Sequence, residues 1–258
     1  MNSETLNPLT AHSLDGARAL ITGSSRGIGA DTAAYFAQAG ARVAINYRNK
    51  EARALKLVAQ INETDGSAIA IGADLTDPES VSALFETVKS EFGSLEILVL
   101  NASGGMEGGM AEDYAMQLNR DAQVNFLTTM LPLLHECSRV VLVTSHQAQF
   151  IRTVETMPEY VPVALSKRAG EDALRELIPE LEAKGISFVV VSGDMIEGTI
   201  TATLLQRANP GAIEARKEAA GRLYNVSEFA AEVASAAVEP IPKNNTRYVG
   251  DVSDFLNK

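Results

Sequence analysis

The chain has 258 residues, with 33 Asp+Glu against 22 Lys+Arg, a formal net charge of −11, 46% hydrophobic and 21% charged residues. That balance excludes a disordered chain and disfavours nucleic acid or an anionic membrane as the main partner, since both select basic surfaces. The single cysteine, Cys137, excludes an intrachain disulfide and a Cys-rich metal site.

Residues 1–15 are polar and carry no signal-peptide core, and no apolar run is long enough to span a bilayer. The expectation is a soluble cytoplasmic protein of one domain, 1–258, with 1–14 as a polar N-terminal extension. The first strand is Ala17-Arg18-Ala19-Leu20-Ile21. It runs into Thr22-Gly23-Ser24-Ser25-Arg26-Gly27-Ile28-Gly29, and Ala33, Ala34, Phe36, Ala37 and Ala39 then recur at helical spacing up to Gly40. Strand, glycine turn and helix in that order make a phosphate site. Glycines allow close approach of an anion to the backbone, and the free N–H groups and dipole of the helix face it. Gly23, Ser25, Arg26, Gly27, Ile28 and Gly29 are therefore candidate dinucleotide-binding residues.

A second strand covers 41–46, a helix 51–63, and a third strand 67–73. Asp77 and Pro78 read as N-cap and first helical residue of the next helix, which carries Val81, Leu84, Phe85 and Val88 up to Gly93. A fourth strand at 95–100 leads into Asn101-Ala102-Ser103-Gly104, and a long helical region, 112–135, precedes a fifth strand at 139–143. A loop follows from 146 to 159, then a helix over 161–183, a sixth strand over 186–191 and a last one over 246–250. Strands and helices alternate and the strands are nearly all apolar, which predicts an α/β fold with a single doubly wound parallel sheet (Rossmann type), about seven strands, and helices on both faces. Residues 195–224 read as a lid over the substrate site, or as ordinary surface helix.

In such a sheet the ligand lies at the carboxyl ends of the strands. After the second strand stand Asn46, Tyr47 and Arg48, where an NAD site carries an acid for the ribose 2′-hydroxyl. Arg48 and Arg26 favour a 2′-phosphate, hence NADP(H) over NAD(H). Asp74, followed by Leu75, would sit at the adenine edge.

These residues, with Asn101-Ala102-Ser103-Gly104, Val124-Asn125, Val143-Thr144-Ser145, Ser166-Lys167 and Ser192-Gly193, are similar to the short-chain dehydrogenase/reductase family over residues 14–250, and resemble its 3-oxoacyl-[acyl-carrier-protein] reductase-like members. The resemblance implies an NAD(P)-dependent oxidoreductase acting on a small carbonyl or alcohol, a homo-tetramer or homo-dimer, and cofactor contacts from Leu75, Asn101, Ala102, Ser103, Lys167, Gly193 and Ile196. It implies Ser145 as the hydroxyl that binds the carbonyl oxygen, Lys167 on the nicotinamide ribose, and Asn125 as anchor of a water relay.

The family's acid is a Tyr four residues before the Lys, where this chain has Val163. Tyr160, seven residues before Lys167, would lie about 10 Å from it along a helix axis but within about 20° of its face. Tyr160 is thus the candidate acid, His146 an alternative, and Lys167 could instead pair with Glu171 at i+4. Two functions stay open: an oxidoreductase with an atypical proton donor, or a catalytically silent NADP(H)-binding sensor or partner-binding protein.

Overall fold

Val, Ile, Leu and Ala fill the strand runs without polar alternation, as suits strands covered on both faces. In the computed structural model, which describes residues 7–107 and 109–256, they form β1 (Arg18–Ile21), β2 (Arg42–Tyr47), β3 (Ser67–Gly72), β4 (Leu95–Leu100), β5 (Leu134–Ser145), β6 (Ser187–Gly193) and β7 (Thr246–Val249). All pair in parallel, in the order β3-β2-β1-β4-β5-β6-β7. The crossover from β3 back to β4 makes the switch point beside β1, where the glycine turn sits.

The helices are α1 (Gly27–Gln38), α2 (Glu51–Asn62), α3 (Pro78–Phe92), α4 (Tyr114–Met116), α5 (Ala122–Met130), α6 (His146–Gln149), α7 (Val161–Glu176), α8 (Ile178–Ala183), α9 (Ile200–Ala208), α10 (Ala212–Ala220), α11 (Val226–Ala236) and α12 (Ser253–Leu256). Strand residues alternate between two cores. Ala19, Ile21, Val99 and Val141 face α1 and α11 through Phe36, Phe229 and Val233. Leu20, Leu98, Leu100 and Val140 face α3 and α5 through Leu84, Val88, Phe126 and Met130. Phe36, Phe126, Phe188 and Phe229 are fully buried, each worth about 1.5–3 kcal/mol relative to exposure.

Asp77 caps α3 as the sequence suggests, accepting from the N–H groups of Glu79 and Ser80, with Pro78 in the first turn. Other elements differ. The expected helix 112–135 is α4, a π-turn over Gln117–Asp121, α5 and a 3-10 turn over Leu131–Leu133. The expected helix 161–183 breaks at Leu177, because Pro179 lacks the N–H that would continue the ladder. β5 begins earlier than expected, with a register shift against β4 between Leu95 and Ile97 and a positive φ of 74° at Cys137. α11, opened by an Asn225/Glu228 capping box, occupies a stretch for which no element is expected from the sequence. Residues 1–6 of the expected extension lie outside the described residues. Leu9 and Leu14 are buried, and Asn7 Nδ2 donates to the Tyr35 carbonyl at 3.0 Å. Among the described residues, no helix is long and apolar enough to cross a membrane.

At the amino end of the sheet, Glu96 accepts from Arg18 N (2.6 Å) and Nε (3.0 Å) and pairs with His135 Nε2 at 2.9 Å. Burial alone would push the Glu96 carboxyl up, but bonding to Arg18 and His135 holds it at about 2, and the same bond to Glu96 raises His135. Because the folded carboxyl binds its proton later than the unfolded one, its contribution is present above the ordinary value of 4.5 and lost as pH falls toward 2. The histidine acts oppositely, contributing below its ordinary 6.5 and fading as pH rises through its raised folded value. Glu96→Gln is expected to cost about 1 kcal/mol near neutral pH. The gap to the parent should be widest at about pH 5–6, shrink below about pH 4 and close only as pH falls to about 2, as read from urea midpoints across that range.

Candidate active site

The site starts from the turn after β1. Thr22 Oγ1 accepts from the N–H groups of Asn101 and Ala102, both at 2.9 Å, which stitches the end of β1 to the end of β4. Asn101 Nδ2 donates to the carbonyls of Thr22 (2.9 Å) and Gly23 (3.2 Å). A Cβ on Gly29 would lie 2.6 Å from that amide nitrogen and 2.8 Å from Ser24 Cα. Gly29 therefore serves this packing and is not among the cavity-lining residues. Gly27, at φ 59° with open space where a Cβ would stand, leaves the head of α1 clear. Arg26 provides no side-chain cap and the first turn of α1 carries no acid, so its N–H groups are donors suited to an anion.

These residues border a cavity of about 610 Å³ along the carboxyl ends of the strands. At one end it is lined by Gly23, Ser25, Arg26, Gly27, Ile28, Asn46, Tyr47, Arg48, Asp74 and Leu75, and also by Lys50 and Tyr114. Burial and the neighbouring Arg53 charge pull the Arg26 pKa down, with Glu107 opposing. Arg48 Nη1 donates to the Tyr114 hydroxyl, its guanidinium 5.7 Å from the ring centroid. Asn46 lines the cavity, but its side chain is engaged inward. Its Oδ1 accepts from Gly23 N at 3.1 Å, and its Nδ2 donates to the carbonyls of Ile71 (3.4 Å) and Ala73 (3.2 Å).

The other end holds Asn101, Ala102, Ser103, Ser145, Tyr160, Lys167 and Ile196, together with Gln147, Asp194, Met195, Ile200 and Leu205. Ser145 ends β5. Tyr160 ends a 3-10 turn (Pro158–Tyr160) just before α7, so it is not on the same helix as Lys167. The hydroxyls of Ser145 and Tyr160 lie 3.1 Å apart. Burial pushes the phenol up, and the bond with Ser145 partly offsets this, so the phenol keeps its proton at neutral pH. Lys167 lowers to about 8 through burial, against the opposing charge of Glu171. Glu171 is not its ion-pair partner: it takes Arg175 Nε at 2.8 Å and Arg168 Nη1 at 3.5 Å. Val163 is buried in an apolar cluster with Tyr160, Met195, Ala202 and Leu205.

Besides Gly29, three candidate residues lie away from the cavity lining. Asn125 is exposed on α5, and its carbonyl accepts from Thr129 Oγ1 at 2.8 Å. The buried amide is Asn119, inside the π-turn. Its Nδ2 donates to the Gly104 carbonyl and Ser166 Oγ, both at 2.9 Å. The π-turn offsets the helical phase; the only sequence signal for Asn119 is a polar residue next to Leu118 on an otherwise apolar face. His146 is fully buried behind the site. Ser145 faces the cavity, so the next residue turns away from it. Its Nδ1 shares a hydrogen bond with Ser192 Oγ at 2.9 Å, among Phe150, Tyr248 and Phe255. Burial lowers it to about 4, so it is neutral at pH 7 and remote from Tyr160's role. Gly193 does not line the cavity; a Cβ there would strike the Phe229 ring at 2.5 Å.

Residues 17–209 match the family model for short chain dehydrogenase. The chain is 32% identical over 190 residues to versicolorin reductase stcU of Emericella nidulans, covering 71% of this chain and 70% of that protein. A short chain dehydrogenase from Burkholderia cenocepacia J2315, solved in complex with NADP, superposes with a TM-score of 0.76 at 29% identity, covering 92% of this chain and 97% of that one. The angucycline C-6 ketoreductase LanV, solved with bound NADP, does so with a TM-score of 0.73 at 28% identity, over 90% and 92% of the two chains. On the sheet order, the turn after β1 and these matches together, the chain belongs to the short-chain dehydrogenase family.

Proposed function

We propose that the protein is an NADP(H)-dependent reductase of a small uncharged ketone or aldehyde, with Tyr160 as its proton donor in place of a tyrosine at position 163. The observation that carries this reading is the 3.1 Å contact between the Ser145 and Tyr160 hydroxyls in the cavity that Lys167 also lines. The nucleotide half fits the residues present. Donors at the head of α1 and the open space over Gly27 suit a diphosphate, while Arg26 and Arg48 suit a 2′-phosphate. The NADP complexes of two relatives support the same cofactor.

When bound, the reduced nicotinamide supplies a hydride to the carbonyl carbon. The chain does the rest. Ser145 and Tyr160 donate to the carbonyl oxygen as charge builds on it, and Tyr160 then passes its proton to that oxygen. Lys167, which lines the same cavity, would hold the nicotinamide ribose and offer a cation to the phenolate left behind. Asn119, not Asn125, fixes Ser166 beside Lys167 and the Gly104 backbone opposite. Met195, Ile200, Ala202 and Leu205, from the 195–224 lid, give the substrate an apolar surface.

A panel of carbonyl compounds with NADPH and NADH tests the reading. Turnover of none of them, with nucleotide still bound, would favour a silent sensor, the alternative that Val163 suggests. Arg26→Ala/Arg48→Ala is expected to raise the NADPH dissociation constant about 10–100-fold, from loss of charge-assisted bonds worth about 1.5–3 kcal/mol, while changing NADH binding much less. Calorimetric titration with both nucleotides separates these, and equal losses would show that no 2′-phosphate is recognised.

A further inference from the structure

α10 has no fully buried residue; Ile213 and Ala220 pack only partly buried against the apolar cluster of Met195, Leu205 and Leu223, so polar contacts carry much of its placement. Arg216 makes the most extensive set of them. Its Nε donates to Asp194 Oδ1 (3.0 Å) and Oδ2 (2.9 Å), its Nη2 to the Asp251 carbonyl (3.2 Å) and Oδ2 (3.3 Å), and its Nη1 to Asp254 Oδ2 (2.5 Å). The guanidinium also lies 5.3 Å from the Phe255 ring centroid. One cation thus joins the lid, the end of β6 and the segment after β7.

The Asp194 side chain is only 3% exposed, and the residue lines the cavity. Its Oδ1 accepts from Met195 N at 2.7 Å, which orients the backbone carrying Met195 and Ile196 into the site. A buried carboxylate at that wall opposes a polyanionic dinucleotide unless a cation offsets it.

We propose that Arg216 is a positioning residue for this site: through Asp194 it fixes the lid over the cavity, and it cancels a wall charge that would otherwise repel the nucleotide. The charge half of this proposal rests on the NADP(H) reading; the lid half does not. The guanidinium matters because its three nitrogens reach three separate carboxylates, where a lysine offers a single nitrogen.

The test compares the full-length parent with Arg216→Ala, Arg216→Lys and Arg216→Ala/Asp194→Asn. Three readouts apply: NADPH affinity by titration, steady-state kcat and KM, and cleavage by a glutamate-specific protease after Glu214 and Glu218 on α10. Arg216→Ala should weaken NADPH about tenfold, speed that cleavage about tenfold, and lower kcat/KM mainly through KM. Adding Asp194→Asn should restore most of the affinity but not the protease resistance. Arg216→Lys should keep affinity near the parent's while cleavage still accelerates, and it serves also if the alanine variant fails to fold. Cleavage and affinity within twofold of the parent in the folded single variants would overturn the proposal, as would a double variant that binds no better than Arg216→Ala. If the parent itself binds no NADPH, the functional reading falls, and the cleavage rates still decide whether Arg216 holds the lid.

Discussion

Tyr160→Phe is expected to lower kcat for carbonyl reduction by about 10²–10⁴, the contribution of a positioned general acid, or about 3–5 kcal/mol of barrier. The ring stays, so the apolar cluster with Val163, Met195, Ala202 and Leu205 keeps its packing. Only the hydroxyl 3.1 Å from Ser145 is removed. NADPH affinity should change less than twofold, because the phenol adds nothing to the diphosphate or 2′-phosphate contacts. Single-turnover kinetics at saturating nucleotide check the chemical step directly. A variant that turns over as fast as the parent would show that the proton comes from another group.

Gly170→Ala carries the second large effect. A Cβ at this α7 position would stand 1.9 Å from the Asn119 carbonyl oxygen and 2.9 Å from its carbonyl carbon. Alanine normally favours a helix over glycine by about 1 kcal/mol, but both obstructing atoms are backbone and cannot swing aside. The clash therefore decides the sign, and a net loss of about 2–3 kcal/mol follows. For a chain of this size that is a fall in Tm of about 5–10 °C, measurable by thermal melting. Separating α7 from the π-turn also pulls Ser166 away from Asn119, so activity should drop more than stability alone accounts for. A melting point equal to the parent's or higher would mean that the two segments are not in close contact.

The sheet was legible because its signals are local and redundant. Apolar strands alternate with helical periodicity, Asp77 and Pro78 mark a helix start, and the glycine turn follows the first strand. What the sequence hid depends on contacts between distant elements. Asn119 and Asn125 sit in the same polar-apolar pattern, and only the π-turn decides which one turns inward. Gly193 stands in a family motif, yet here it makes room for Phe229 of a helix that begins more than thirty residues later. His146 neighbours the key serine in sequence, but strand geometry sends it to the opposite side. Tyr160 was legible only as a candidate, since neither composition nor spacing tells how a 3-10 turn will aim a ring.

The inward-facing amide of Asn46 has a consequence for redesigning nucleotide preference. Installing an acid at the end of β2, the obvious route toward a ribose hydroxyl, would put a carboxylate where the Ile71 and Ala73 carbonyls require a donor. The new charge would loosen the seam between neighbouring strands before it met any sugar. A switch of coenzyme in this scaffold has to be built at Arg48, one step further out, whose side chain bonds the Tyr114 hydroxyl and not the sheet.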